Sequence, residues 1–233
     1  WPDKYHPLSL WRLLSAKMAK KVLPSNKDTT KQHRISGALA CIILLLPACI
    51  IIAIFHYLPE YPLFFEALFL MLALRQQTIT QTTKRVAAYL THDKKRLARE
   101  TLAPIVLRET EALSPLGINK ASCESLILRF NYQFCAVVFW FVITGGVGAL
   151  LYRLLYDCTQ QWNTKLASFR HFGWFIRVFT SVLQWPPSML AGISLAITGL
   201  TFKGFKALTS GHWLNPRMLV LNVVGASLDY QLS

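Results

Sequence analysis

Residues Ile35 to Leu58 read ISGALACIILLLPACIIIAIFHYL and contain no Asp, Glu, Lys or Arg. At about 1.5 Å per residue a helix of this length reaches roughly 36 Å, more than the ~30 Å hydrocarbon core of a bilayer. The stretch therefore reads as a membrane-spanning helix, with a kink expected at Pro47. Residues 1–34, before it, carry eight basic and two acidic side chains, an excess that marks the cytoplasmic face. Within them Leu8, Leu10, Trp11, Leu13 and Leu14 predict a short interfacial helix. After it, His56-Tyr57-Leu58-Pro59-Glu60-Tyr61-Pro62 combines aromatic residues with two prolines and reads as an interfacial turn.

The chain then turns back. Leu63 to Leu74 is too short to cross alone, but Gln76 to Thr83 adds length without charge before Lys84. A return span results, with Glu66 and Arg75 inside it. At 100° per residue these two point to opposite sides of the helix, so each needs another partner. Residues 84–129 are polar and basic with helical spacing, started at Asp93 and interrupted near Pro104. Phe130 to Tyr152 is a second uncharged run, interrupted by Gly145, Gly146 and Gly148. It reads either as one span or as a re-entrant hairpin. Val178 to Phe202 is a third, with Pro186 and Pro187 in its middle, and reads as a kinked span.

The fold class is all-α: a polytopic membrane protein of kinked helices, with a re-entrant one as the alternative to a span, and a basic cytoplasmic helical arm. It forms one integral membrane domain. Its parts are a basic cytoplasmic segment (1–34), a helical membrane hairpin (35–83), the arm (84–129), the span or re-entrant hairpin (130–155), a loop (156–177), a membrane helix (178–202) and a tail (203–233). The chain opens at Trp1 with neither an initiator Met nor a cleavable signal pattern, and reads as a piece of a longer protein.

Composition agrees. Of 233 residues 53% are hydrophobic and only 15% charged, and 25 Lys plus Arg against 11 Asp plus Glu give a net charge of +14. That excess suits anionic lipid headgroups or a phosphorylated ligand. Nucleic acid is not the expected partner, because the basic residues sit between apolar runs and form no stripe on a soluble fold. Cys41, Cys49, Cys123, Cys135 and Cys158 make no CxxC pair and read as small apolar residues. The six histidines lack metal-ligand spacing.

Neither a phosphate-binding glycine loop nor a recognisable hydrolase pattern is present. Glu66 and Arg75 stand out because charge at membrane depth is expensive and faces a protein or water-lined interior, unless it snorkels to the headgroups. Arg108-Glu109-Thr110-Glu111 offers carboxylates for a metal-nucleotide or for surface pairing. Arg170-His171-Phe172-Gly173-Trp174 mixes a cation, aromatics and a flexible glycine, as a ligand-contacting loop or an aromatic belt would.

Several segments in order resemble the CbiB/CobD family of cobalamin biosynthesis, the adenosylcobinamide-phosphate synthases, from Trp1 to about Leu195. They are Tyr5-His6-Pro7, Glu66-Ala67-Leu68, Leu72-Ala73-Leu74-Arg75, Ile105-Val106-Leu107-Arg108-Glu109-Thr110, Glu124-Ser125, Tyr152-Arg153, Phe169 to Trp174, and Trp185 with Pro187. The resemblance implies a multi-pass protein of the bacterial inner (cytoplasmic) membrane. Its activity would be ATP-dependent amide ligation of adenosylcobyric acid, a corrinoid, with aminopropanol or its phosphate. Glu124, Glu109 and Asp157 are then the catalytic candidates. His6, Arg75, Arg108 and Arg170 would bind substrate or phosphate, and Glu66, Glu109 and Glu124 would hold Mg²⁺.

The chain departs from the family pattern at three acidic motifs. Leu128-Arg129-Phe130-Asn131-Tyr132-Gln133 stands for Glu-Asn-Thr-Val-Asp-Gly, Tyr156-Asp157-Cys158-Thr159-Gln160-Gln161 for Asn-Thr-x-Asp-Ser-Met, and Thr180-Ser181 for an acidic pair. A second reading is therefore a non-catalytic membrane sensory or assembly protein resembling the AmpE proteins, with neither ATP nor Mg²⁺ as cofactor. Both readings leave an oligomer open. The resemblance also favours the hairpin over the span at 130–155, because both flanking motifs would meet the same cytoplasmic ATP. The glycines would then face neighbouring helices.

Three uncharged runs of more than twenty residues do not fit inside one soluble domain of this size. The protein is expected to stay in the pellet after alkaline carbonate washing and to need detergent for release; recovery in the wash supernatant would contradict this.

Overall fold

A computed structural model describes residues 7–23, 29–57, 60–74, 77–106, 111–198 and 216–227. In chain order its helices are α1 (Pro7–Val22), α2 (Thr30–Tyr57), α3 (Pro62–Ala73), α4 (Gln77–Thr91), α5 (Lys95–Leu102), α6 (Pro115–Phe130), α7 (Ala136–Gln161), α8 (Trp174–Thr198) and α9 (Pro216–Ser227). A π-helical turn, Asn131–Cys135, joins α6 to α7. No strand occurs among the described residues. The chain divides into two compact units, Trp1–Leu74 with Val137–Leu183, and Arg75–Ala136 with Gln184–Ser233.

In the first unit α1 buries Leu8, Trp11, Ser15 and Ala19, spaced to lie on one face of a helix. Leu10, Leu13 and Leu14 point outward instead. The predicted interfacial helix is thus real as a helix, and its buried stripe is held by protein. In α2 only 17% of the most apolar window is buried, and Leu39, Ile43, Leu46, Ile50 and Ile54 are exposed. The core helix of a soluble protein is covered on most sides; this one leaves a long apolar surface for lipid or another apolar partner. Pro47 lies within α2, which continues through it.

Gly37 is where α2 meets the backbone just before α8. A Cβ there would lie 1.9 Å from the Phe172 carbonyl oxygen, so only glycine permits this approach. At the other end of α2 the chain turns and α3 returns beside it, stacking Phe55 on Phe65 at 5.9 Å between ring centroids.

The return helix is shorter than expected. α3 ends at Ala73 with Leu74 in an extended conformation (ψ 92°), and a separate helix, α4, begins at Gln77. Twelve residues reach only about 18 Å, too little to cross a bilayer. The reason lies in the second unit, where α4 has its own core to join: Val86 packs with Ala98, Leu102, Ile118 and Ala121 of α5 and α6. Helix α5 follows Asp93, whose φ of 56° sets the turn, and α6 opens at Ser114, whose side chain accepts from the Gly117 N–H at 3.1 Å. Helix α9, in the expected tail, packs Leu219, Val220 and Val224 against Cys123, Ile127, Met189 and Leu195.

The expected loop at 156–177 is helical at both ends. α7 runs to Gln161 and α8 starts at Trp174, leaving 162–173 as the connection. α7 is itself broken at Gly145, with φ 71° and ψ −168°. A straight helix would separate Trp140 from Thr159 by about 28 Å. Yet Trp140 Nε1 donates to the Leu183 carbonyl at 3.2 Å and the Thr159 and Thr180 hydroxyls bond at 2.8 Å. Two residues one turn apart on α8 thus serve both halves of α7, which the bend at Gly145 allows.

Among the described residues two helical stretches are long and apolar enough to cross a membrane, Thr30–Tyr57 and Pro115–Gln161, the second interrupted at Gly145. The third uncharged run, in α8, is not among them: Thr180, Ser181, Gln184, Pro186, Pro187 and Ser188 dilute its apolar character, and Thr180, Gln184 and Ser188 are buried in protein.

Gly37→Ala is expected to destabilise the protein by about 1–3 kcal/mol, because a backbone carbonyl cannot swing aside as a flexible side chain can. Thermal unfolding in detergent checks this, and a melting temperature equal to the parent's would show that the close approach is not needed.

Candidate functional site

Where α1 meets α7, two buried charged groups, Arg153 and Asp157, meet a third, Arg12. Two indoles fix the contact. Trp11 Nε1 donates to the Leu154 carbonyl at 3.0 Å, and Trp162 Nε1 donates to the Ser15 carbonyl at 3.0 Å. Arg12 lies between these anchors and reaches Asp157 with two bonds, Nε to Oδ2 and Nη2 to Oδ1, both at 3.2 Å. This is the forked pairing for which a guanidinium is suited.

Arg153, one turn before Asp157, has a side-chain exposure of 0%, and its Nη2 lies 3.7 Å from Asp157 Oδ1. That is within ion-pair range but beyond a hydrogen bond. Its guanidinium carbon also sits 5.6 Å from the Tyr156 ring centroid. Asp157 is thus a buried carboxylate between two cations, and Arg12, at 35% exposure, is the only one of the three that reaches the surface. The expected role of Asp157 as a catalytic carboxylate must accommodate this: both its oxygens already accept from Arg12.

Glu66 occupies a second polar place. Its Oε2 accepts from the Gly146 N–H, at the first residue after the helix break, and its Oε1 lies 3.4 Å from His56 Nδ1. A carboxylate at the positive end of the new helix segment is worth typically 0.3–1 kcal/mol and up to about 2 in partly buried sites. The partner sought for this charge is therefore a broken helix end together with His56. The glycines complete the fit, since a Cβ on Gly146 would lie 2.9 Å from both Glu66 Oε2 and Phe69 Cβ.

The other site candidates are dispersed. Glu124 is buried on α6, at 3% exposure, and engaged within the protein. Arg170 is exposed on the α7–α8 connection. His6, Arg75, Arg108 and Glu109 lie outside the described residues. No three His, Cys, Asp or Glu side chains converge as a metal site among the described residues. Glu66 and Asp157 are each already taken up by protein groups, so these residues do not by themselves fit Mg²⁺.

The Arg170–Trp174 motif is a packed corner. Phe172 is buried against Trp162 at 5.2 Å, Arg34 covers Trp174 at 4.6 Å, and a Cβ on Gly173 would meet the Trp162 carbonyl at 2.0 Å. Its glycine serves close packing, where the sequence suggested flexibility. Of the three departing motifs, the first forms the π turn, with Asn131 bonded to Ser188 at 2.8 Å, and the third contributes Thr180 to the bond with Thr159.

Sequence reading missed Arg12 and Arg153 as site residues. The signal was there for Arg153, four residues before Asp157 and set among Leu150, Leu151, Leu154 and Leu155. It could be read only if residues 156–161 were taken as helix.

The family described as CobD/Cbib protein matches residues 1–218 of the chain. The chain is similar to the cobalamin biosynthesis protein CobD of Chromobacterium violaceum, 27% identical over 229 residues, which covers 97% of this chain and 73% of that one. It is similar to the CobD of Stutzerimonas stutzeri, 27% identical over 88% of this chain and 67% of that one. A probable CobD of Methanothermobacter thermautotrophicus is 23% identical over 87% and 67% respectively. No solved structure matches.

Asp157→Asn removes the charge that balances two guanidinium groups, one of them fully buried. Loss of one partner of a buried pair costs about 3–5 kcal/mol, so the melting temperature in detergent is expected to fall by roughly 6–20 °C. Arg12→Gln, at a half-exposed position, is expected to do less. An Asp157→Asn protein as stable as its parent would show that the trio does not hold α1 to α7.

Proposed function

The chain belongs to the CobD/Cbib protein family of cobalamin biosynthesis, and from that membership we propose that it performs the family's ATP-dependent amide ligation. It would join a carboxylate of adenosylcobyric acid to aminopropanol or its phosphate, in the bacterial inner membrane as a multi-pass protein. The bare apolar surface of α2 supports the membrane assignment.

The chemistry explains what the site must supply. A free carboxylate is a poor acyl donor towards an amine. Attack of a carboxylate oxygen on a phosphoryl group of ATP, with cleavage of that group's phosphoanhydride bond and departure of the rest of the nucleotide, turns the oxygen into part of a leaving group. The amine nitrogen then displaces it, forming the amide and losing a proton. The protein must therefore hold polyphosphate charge, keep water from the activated acyl group and take up one proton.

The buried Arg12–Asp157–Arg153 trio carries this reading. It places cationic donors in a site shielded from water, where electrostatic stabilisation of phosphoryl groups is strongest. Arg170, Arg108, Arg75 and His6 remain the further phosphate or substrate contacts, and Glu109, Glu124 and Glu66 the proposed carboxylates. Mg²⁺ would enter with the nucleotide, as it does where a few carboxylates and substrate phosphates share it.

One observation favours the second reading, a non-catalytic relative of AmpE type: Glu66 and Asp157 are each occupied by groups of the protein itself. One assay separates the two. Purified protein with Mg²⁺, ATP, adenosylcobyric acid and aminopropanol phosphate is expected to form the amide, with Glu124→Gln lowering the rate at least about tenfold. No amide and no growth rescue of a strain lacking its adenosylcobinamide-phosphate synthase would favour the non-catalytic reading.

A further inference from the structure

Four buried side-chain nitrogen or oxygen atoms lack a hydrogen-bond partner among the described residues, and three of them are Nε, Nη1 and Nη2 of Arg153. A guanidinium carries five N–H donors, and burying it without acceptors is among the least favourable arrangements a fold can hold. Asp157 does not resolve this. Each of its two oxygens accepts a bond from Arg12 at 3.2 Å, and the nearer stands 3.7 Å from Arg153, beyond hydrogen-bond range. Two guanidinium groups thus share one carboxylate, which leaves one positive charge in excess and the Arg153 donors, apart from the Tyr156 ring, without hydrogen-bond partners among the described residues, in a place closed to bulk solvent.

We infer that Arg153, with Arg12 at the mouth, binds an oxyanion of the phosphate class. A phosphate group offers what the cluster lacks: negative charge and several acceptor oxygens placed to meet a planar fork of donors. Arg12, partly exposed beside the buried pair, gives the ligand its way in, and Asp157 keeps both cations apart and oriented when the ligand is gone. The inference rests on this cluster alone and holds for a ligase and for a non-catalytic relative alike. The phosphate could belong to a water-soluble ester or to a phospholipid headgroup.

The test uses the full chain purified in detergent and stripped of lipid, with radiolabelled inorganic phosphate as probe. In parallel, the protein is placed in nanodiscs of phosphatidylcholine with or without phosphatidic acid. Saturable phosphate binding assigns the site to a soluble phosphate; stabilisation by phosphatidic acid without binding of inorganic phosphate assigns it to a headgroup. In either case Arg153→Met is expected to weaken binding at least about tenfold, and Arg177→Gln, at an exposed position bonded to Thr164, to leave it unchanged. Should Arg153→Met not fold, Arg153→Lys decides, because it keeps the charge and loses the fork. Binding equal to the parent's in the folded variant, or no saturable effect of either probe on the parent, would overturn the inference. None of these readings depends on amide formation, so loss of the ligase assignment would leave them intact.

Discussion

Asp157 has almost no contact with water, and a lone carboxylate in that position would cost several kcal/mol. The fold answers with two guanidinium groups, and much of the first unit follows from where they must come from. Arg153 is supplied by the same helix, one turn earlier. Arg12 is supplied from the far end of the sequence, so α1 has to dock against α7 and stay in register with it. The Trp11 and Trp162 indoles set that register by capping carbonyls on opposite helices. The stripe Leu8, Trp11, Ser15 and Ala19 then buries its apolar surface as a consequence of the same docking.

A second constraint acts at the other end of α7. A helix interrupted in a dry environment exposes backbone groups that water cannot satisfy. Gly145 makes the interruption sterically possible, and Glu66 answers it by accepting from Gly146. His56 in turn lies close enough to pair with Glu66. The two charged places therefore differ in kind. At Glu66 acceptors and donors of the protein meet one another, whereas at Arg153 the donors remain open. Only the second asks for a ligand.

Buried polar groups elsewhere in the helices pair without charge. At 128–133 and 180–181 the polar contacts belong to the helix packing, Asn131 with Ser188 and Thr180 with Thr159. Such neutral pairs satisfy buried groups without a counterion, so they can hold helices together where a carboxylate would need a cation or metal. At 156–161 the buried group is a carboxylate, Asp157, and it brings a requirement for balancing partners.

The sequence alone determined the long apolar helix from Ile35, the helix boundary before Pro62, the helical arm broken near Pro104, and the glycines as the weak point of the next helix. All of these are local, set by charge-free length, proline geometry and the freedom of glycine. The family, too, was legible, because collinear motifs survive where overall identity is low. Pairings made across the fold were not legible. His56 and Glu66 lie symmetrically about the turn, yet only the packing of α3 on α2 says that they meet. Arg12 and Asp157 are 145 residues apart, and no period or spacing connects them. Residues 156–161 read as loop because Asp157, Thr159, Gln160 and Gln161 are polar, and tertiary structure made them helix because α1 and α8 supply the partners that let polar side chains be buried. Helix ends, breaks and apolar faces are decided within a few residues of chain; which charges neutralise each other is decided only when distant helices pack.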